Sequence, residues 1–161
     1  MNMHLKALLV FAIILVAQSH SATAADDLIE RGKYVIHIAG CNDCHTPGYA
    51  QQGGSTPVEK WLTGDSVGFQ GPWGTTFPSN LRLLMQTLTE EEWLHKAKTF
   101  EPRPPMPWFN VHAMSDQDQR AIYRFVKSLG PAGEPAPDYV PPGKMAKNKF
   151  IVFLPVSMEK K

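Results

Sequence analysis

The only two cysteines of the 161-residue chain stand in the stretch Cys41-Asn42-Asp43-Cys44-His45. Two thiols three positions apart, with an imidazole directly behind them, have three chemical uses. They can form a thiol–disulfide redox pair, supply half of a zinc site, or anchor a haem. A redox pair of the thioredoxin kind sits at the end of a strand in a βαβ unit. Here the preceding residues DDLIERGKYVIHIAG read as a helix, and no strand–helix alternation follows. Structural zinc takes four ligands at close spacing. There is no third cysteine, and His95 and His112 lie 17 positions apart. Haem attachment needs only what is present: both thiols add across the porphyrin vinyl groups, and the histidine turns onto the iron from the same side. The residues favour one covalently bound haem c, on Cys41 and Cys44, with His45 as an axial ligand.

An iron held by His45 has a sixth position, and its occupant decides the chemistry. Met106 is flanked by Pro104, Pro105 and Pro107. Each proline fixes φ near −65°, so the loop is stiff enough to hold a weakly bound thioether against water. Most methionines are core fillers, and Met85, in an apolar run, reads as one. Met114 suits the entrance of the last helix, and His112 would make a His–His pair of lower potential. Met106 is the ligand favoured, with Met114 and His112 as the alternatives. His95 lies off the Trp93/Ala97/Phe100 face of its helix and is expected in solvent.

The elements that must position these groups are mainly helical. A first helix is expected over about 26–39, with Asp26 and Asp27 near its start and Gly40 stopping it. Residues 46–80 are rich in Gly, Pro, Ser and Thr and read as loop. A loop of that length inside one domain needs something to wrap, and a flat apolar cofactor supplies it. A short helix is expected over 81–86, and a firmer one from the capping box at Thr89 and Glu92 to Phe100. The last begins at Ser115 and runs to Leu129, before Gly130-Pro131. Its apolar residues Ala121, Ile122, Phe125, Val126 and Leu129 form one stripe of helical period.

Composition bounds the setting. The start MNMHLK is followed by an apolar run of 11 residues, Ala7–Ala17, and by the small-residue stretch Ala22-Thr23-Ala24. That run is short for a membrane span, which takes about 20 residues. Residues 1–24 therefore read as an export signal, an uncleaved anchor being the alternative. Export matches covalent haem attachment, which bacteria complete outside the cytoplasm, and implies a soluble periplasmic protein with no further integral span. What remains is one domain in size, with fifteen basic and fifteen acidic side chains. The charges are segregated: residues 144–161 carry five lysines and one glutamate, which leaves a net −4 on 25–143. No basic stripe interleaved with aromatics is present, so nucleic acid is not an expected partner.

Residues 131–161 form a third division. The Pro-rich stretch GPAGEPAPDYVPPG reads as a semi-rigid strap, and the basic tail encloses the apolar run FIVFLPV. Left bare, such a run invites aggregation. It is expected to lie on the protein's own body, with Lys144, Lys147 and Lys149 against the acidic surface. The alternative is strand addition or a plug to a redox partner.

The stretches RGKYVIHIAGCNDCHTPG, GPWGTTFPSNLR and PPMPWFNVHAMSDQDQRAIYRFVKSLGP resemble those of small, single-haem cytochromes c of the class I type. The separation of His45 and Met106, 61 positions, is similar to that of the axial ligands in that family. A narrower resemblance is to the cytochrome domains or subunits that take electrons from bacterial periplasmic alcohol and sugar dehydrogenases. It implies a small cytochrome c fold over 25–130, with three to four helices and long loops around the haem. It also implies an electron carrier rather than an enzyme. Gly32 would be the small residue where the first helix crosses the last, with Tyr123 packed near it. A proline carbonyl near Pro78 would orient His45. The segment departs from the family pattern by one place there, which leaves the accepting carbonyl open. Trp61, Trp73, Asn80 and Arg82 are candidates to bind the haem propionates, and Trp108 is a further pocket candidate. Simple packing is the plainer role for the tryptophans. With His45 and Met106 both bound, the iron has no open position, which points to electron transfer. An open sixth position would instead mean ligand binding or peroxidase-like chemistry. The implied partners are a periplasmic dehydrogenase and a respiratory-chain acceptor.

Overall fold

The computed structural model describes residues 26–154. The proposed export signal at 1–24 and the last residues of the tail lie outside the described residues. Among those described, helix α1 covers 26–38, α2 Cys41–His45, α3 Leu81–Gln86, α4 Glu90–Thr99, α5 Trp108–Ala113 and α6 Asp116–Ser128. Strands β1 Gly68–Gly71, β2 Gly74–Thr76 and β3 Phe150–Val152 form a small sheet of order β2-β1-β3. The fold is mainly α, as its helical patterning predicts.

The expected helix starts are made by their caps. Thr89 accepts from the Glu92 amide while Glu92 accepts from the Thr89 amide, so two backbone donors of the first turn are satisfied reciprocally. Ser115 accepts from the Asp118 amide at the head of α6. Along α6 the stripe Ala121, Ile122, Phe125 and Val126 is buried, and Leu129 packs on the core's edge. That stripe meets α3 and α4, with Ile36 of α1 and Met85 of α3 fully enclosed. Trp93 of α4 donates its indole N–H to the Gln119 carbonyl at 2.8 Å, and Gln119 donates to the Val111 carbonyl at 2.8 Å. These two bonds tie α4, α5 and α6 together at the end where the Met106 loop enters.

Helix α1 crosses α6 with Gly32 against the backbone. A Cβ at Gly32 would stand 2.0 Å from the Ala121 carbonyl oxygen and 2.7 Å from Phe125 Cβ. Tyr123, two positions on from Ala121, is turned about 200° around the helix. It packs elsewhere, donating its hydroxyl to the Leu88 carbonyl at 2.9 Å. The atoms nearest a Cβ at Gly32 are thus those of Ala121 and Phe125. The Arg31–Asp118 ion pair, 2.8 Å long, flanks the crossing.

Three stretches without an expected helix or strand carry structure. Residues Gly68–Gly71 and Gly74–Thr76 pair antiparallel, Phe69 opposite Thr76, around the turn Pro72-Trp73. The tail adds β3 parallel to β1, Phe69 opposite Ile151, and the Phe153 ring stands edge-on to Phe69 at 5.7 Å. The third is α5, just beyond the Met106 loop. The strap meets the body on its way: Val140 pairs with Thr75, and Asn80 donates to the carbonyls of Ala132 and Glu134. The tail therefore returns to its own body, but only in part. Ile151, Val152, Phe153 and Leu154 stay about half exposed. Among the described residues, Lys144, Lys147 and Lys149 make no ion pair, so the expected lysine contacts with the acidic body are absent there.

Candidate functional site

The CNDCH stretch is itself a helix of five residues, a feature too short to announce itself by periodicity. Gly40 takes the left-handed conformation (φ 69°) at its start, so α1 ends and α2 begins in a new direction. Residues three apart on a helix share a face, which places the Cys41 and Cys44 thiols side by side and turns Asp43 to solvent. No disulfide joins them. Burial pushes the Cys41 thiol up to about 11, and burial, Asp43 and Asp65 raise Cys44 as well. A reactive redox cysteine is an easily ionised thiol in electropositive surroundings. This environment is the reverse. The zinc reading has no site either: among the described residues, no three His, Cys, Asp or Glu side chains converge.

His45 is buried, and its Nδ1 lies 2.7 Å from the Ser79 carbonyl oxygen. A carbonyl only accepts, so Nδ1 carries the proton and Nε2 keeps its lone pair. Burial lowers the imidazole's pKa while the bond to Ser79 acts the other way. The neutral ring, fixed in one tautomer, is the form that ligates a metal. The accepting carbonyl is one place beyond proline: Pro78 instead accepts the Asp65 amide at 3.1 Å.

A scaffold of backbone bonds holds that carbonyl in place. The Gly64 amide donates to the His45 carbonyl at 2.9 Å. Gly64 has φ +77°, and a Cβ there would lie 2.8 Å from the Asn80 amide nitrogen and 2.9 Å from the Pro78 oxygen. Only glycine permits both that conformation and that approach. Thr46, just after the motif, donates to Asn42 Oδ1 and accepts the Leu62 amide at 2.8 Å. Leu62, itself left-handed at φ 63°, receives the Leu81 and Arg82 amides on its carbonyl. Sequence reasoning missed Thr46, Leu62, Gly64 and Ser79, and Gly64 alone carried a local signal.

Met106 packs against the edge of the core. Its loop is fastened by Thr76, which donates to the Pro104 carbonyl at 2.9 Å. His112 is committed elsewhere: its Nε2 donates to the Phe100 carbonyl at 2.9 Å, with Trp108 against its ring at 4.8 Å. Met114 also touches the core, at the junction of α5 and α6. Met85 is fully buried in the interior, and His95 is exposed.

The polar groups put forward for propionates serve the protein's own backbone. Trp61 donates to the Thr56 carbonyl at 2.8 Å and packs between His37, Tyr49 and Phe125. Asn80 caps α3 through its side-chain oxygen and donates twice to the strap. Arg82 donates to the carbonyls of Gly130, Glu59 and Leu129, closing the end of α6. Trp73 has a long indole contact of 3.4 Å to the Phe69 carbonyl. Pro78 is buried and Trp108 half-buried.

The donor set fits a covalently held haem c: two adjacent unoxidised thiols and a neutral histidine whose free nitrogen is Nε2. A family model described as Cytochrome c matches residues 29–130. No curated protein and no solved structure matches the chain.

Proposed function

Because the chain belongs to the cytochrome c family, whose members carry covalent haem and transfer electrons, we propose that it is a periplasmic one-electron carrier with His45 and Met106 as axial ligands. The haem supplies the redox chemistry, one electron gained or lost at its iron. The chain's part is to hold that group in one geometry and keep water from it. Cys41 and Cys44 fix its edge to α2. His45 is oriented by the Ser79 carbonyl, at 2.7 Å, and that bond is the observation that carries the reading. A histidine so locked is fixed in orientation and tautomer, with Nε2 the nitrogen that would hold the iron. Met106 is the candidate sixth ligand because its loop is tied down while His112 is engaged with Phe100. Trp61, Trp73, Pro78, Asn80, Arg82 and Trp108 then act by packing and by shaping loops around the pocket. Of the four propionate candidates, Trp61, Trp73, Asn80 and Arg82, Trp73 retains the weakest internal bond, 3.4 Å to the Phe69 carbonyl, and so the most capacity to donate to a propionate.

The narrower resemblance to dehydrogenase-associated cytochromes supports a periplasmic dehydrogenase as donor and a respiratory-chain acceptor. The export-type N-terminus supports the compartment. A spectrum tests the core of the proposal. Oxidised protein should be low-spin with the methionine–iron band in the far red, and Met106→Ala should lose that band while Met114→Ala and His112→Ala keep it. A high-spin oxidised spectrum in the unaltered protein, shifting on cyanide addition, would establish the open-site reading instead.

A further inference from the structure

We propose that Tyr139, in the strap beyond the family-matched residues 29–130, is a positioning residue that braces the Met106 loop. The inference rests on Met106 being the sixth ligand. The loop from Glu101 to Pro107 is poorly equipped to hold itself. Pro102, Pro104, Pro105 and Pro107 have no N–H to donate, so few backbone bonds can fix it. Prolines stiffen a loop locally without tethering it to the body.

The tether comes from the strap and the hairpin. The Arg103 guanidinium lies 3.8 Å from the centre of the Tyr139 ring, a close cation–π stack. The Tyr139 hydroxyl donates to the Trp73 carbonyl at 2.7 Å, in the turn between β1 and β2. The next residue, Val140, exchanges two backbone bonds with Thr75, of 2.8 and 3.0 Å. Thr76, one further along β2, donates to the Pro104 carbonyl at 2.9 Å. These contacts close a circuit: loop to strap, strap to hairpin, hairpin back to loop. Removing the Tyr139 ring opens it between the strap and the loop, at Arg103, three positions before Met106.

A ligand that competes with the thioether binds only when the loop has opened. Its apparent affinity is therefore scaled by the fraction of molecules that are open. Loosening the brace raises that fraction without touching the iron's ligands. Loss of the stack and one hydrogen bond should tighten such a ligand by roughly tenfold, the equivalent of about 1.4 kcal/mol.

The experiment titrates oxidised, full-length holoprotein with imidazole and follows the methionine–iron band. Tyr139→Ala should bind imidazole about tenfold more tightly and Arg103→Ala, which loses the stack alone, about fourfold, with the double variant little more than Tyr139→Ala. Tyr139→Phe, which keeps the ring under Arg103, should fall between Tyr139→Ala and the unaltered protein. Truncation after Gly143 leaves Tyr139 and Val140 in place, and should lower the melting temperature while leaving imidazole affinity unchanged. Arg103 is exposed, so its variant keeps the test open even if Tyr139→Ala folds poorly. An affinity within about twofold of the unaltered protein for both single variants would overturn the brace. So would a truncated protein that binds imidazole as tightly as Tyr139→Ala, since general loosening would then suffice. If the unaltered protein lacks the band, or Met106→Ala retains it, the ligand reading fails and the brace with it. Loss of the band in Met106→Ala with unmoved Arg103 and Tyr139 variants removes the brace alone.

Discussion

Substituting Gly32 by alanine separates the geometry of the α1–α6 crossing from ordinary helix propensity, because the two act in opposite directions. In a helix interior, glycine to alanine stabilises by about 1 kcal/mol. At Gly32 the added methyl would stand 2.0 Å from the Ala121 oxygen, 2.5 Å from the Ala121 carbonyl carbon and 2.7 Å from Phe125 Cβ. All three are backbone or Cβ atoms, so no flexible side chain can swing aside. Ordinary contact begins near 3.4 Å, and the helices must separate by more than an ångström or tilt. Either response loosens the buried stripe of α6 and strains the Arg31–Asp118 pair. Overpacking a tight interior site costs about 1–3 kcal/mol, and a clash on main-chain atoms belongs at the upper end. Set against the propensity gain, the net expectation is a loss of about 2 kcal/mol out of the 5–15 kcal/mol usual for a domain. Gly130→Ala is the control. Gly130 has φ +68° and open space around its Cβ position, so its loss should come from backbone strain alone, about 1–2 kcal/mol. Denaturant unfolding of the holoprotein, followed by far-ultraviolet dichroism, reads both. A Gly32→Ala protein as stable as the parent, or more stable, would refute the close crossing.

Three further outcomes are expected. Cys41→Ser or Cys44→Ser should lose most covalently bound haem and accumulate poorly, measured as haem remaining with the polypeptide after acid–acetone extraction; a stable, haem-free double variant with native near-ultraviolet dichroism would contradict a haem-centred core. Glu90 of α4 faces Arg120 and Arg124 of α6; burial opposes its charge, but bonds from both arginines outweigh this and hold its pKa below the ordinary 4.5. A depressed carboxyl contributes stability that is complete above its unfolded pKa and fades as pH falls through the folded value, so Glu90→Gln should flatten the stability–pH curve below about pH 4.5, and an unchanged acid limb would refute the linkage. Truncation after Gly143 should lower the melting temperature and expose Phe69 to hydrophobic dyes while leaving the protein monomeric; unchanged stability, with loss of a larger sedimenting species, would instead mark the tail as a docking element.

What could be read from the sequence was what is locally determined. The caps at Thr89 and Ser115 work within four residues, and the α6 stripe follows from a period set by one helix. The cysteine–histidine motif is equally local, since the chemistry needs those atoms and little else. The sheet was hidden because β1 and β2 are glycine-rich and short, and their third strand arrives some eighty residues later in the chain. Nothing in GFQG announces pairing with FIV. Helices α2 and α5, of five and six residues, are too short for a period to show.

The residues around the site show a different limit. The capacity of Trp61, Asn80 and Arg82 to donate hydrogen bonds is plain from their types, and buried propionates would be one natural taker. Their actual partners are main-chain carbonyls, of Thr56, of the strap, and of the end of α6. A carbonyl is offered by every residue, so sequence gives no sign of which one lies in reach. The same holds for the choice of Ser79 over Pro78. Both carbonyls are adjacent in the chain, and the decision falls to Gly64, whose conformation brings Asp65 onto Pro78 and leaves Ser79 facing the imidazole. The orientation of His45, the proposed iron ligand, is therefore set by a turn nineteen positions after it, through a bond that proline's neighbour makes. Replacing Gly64 would disturb that histidine without altering either residue in the hydrogen bond.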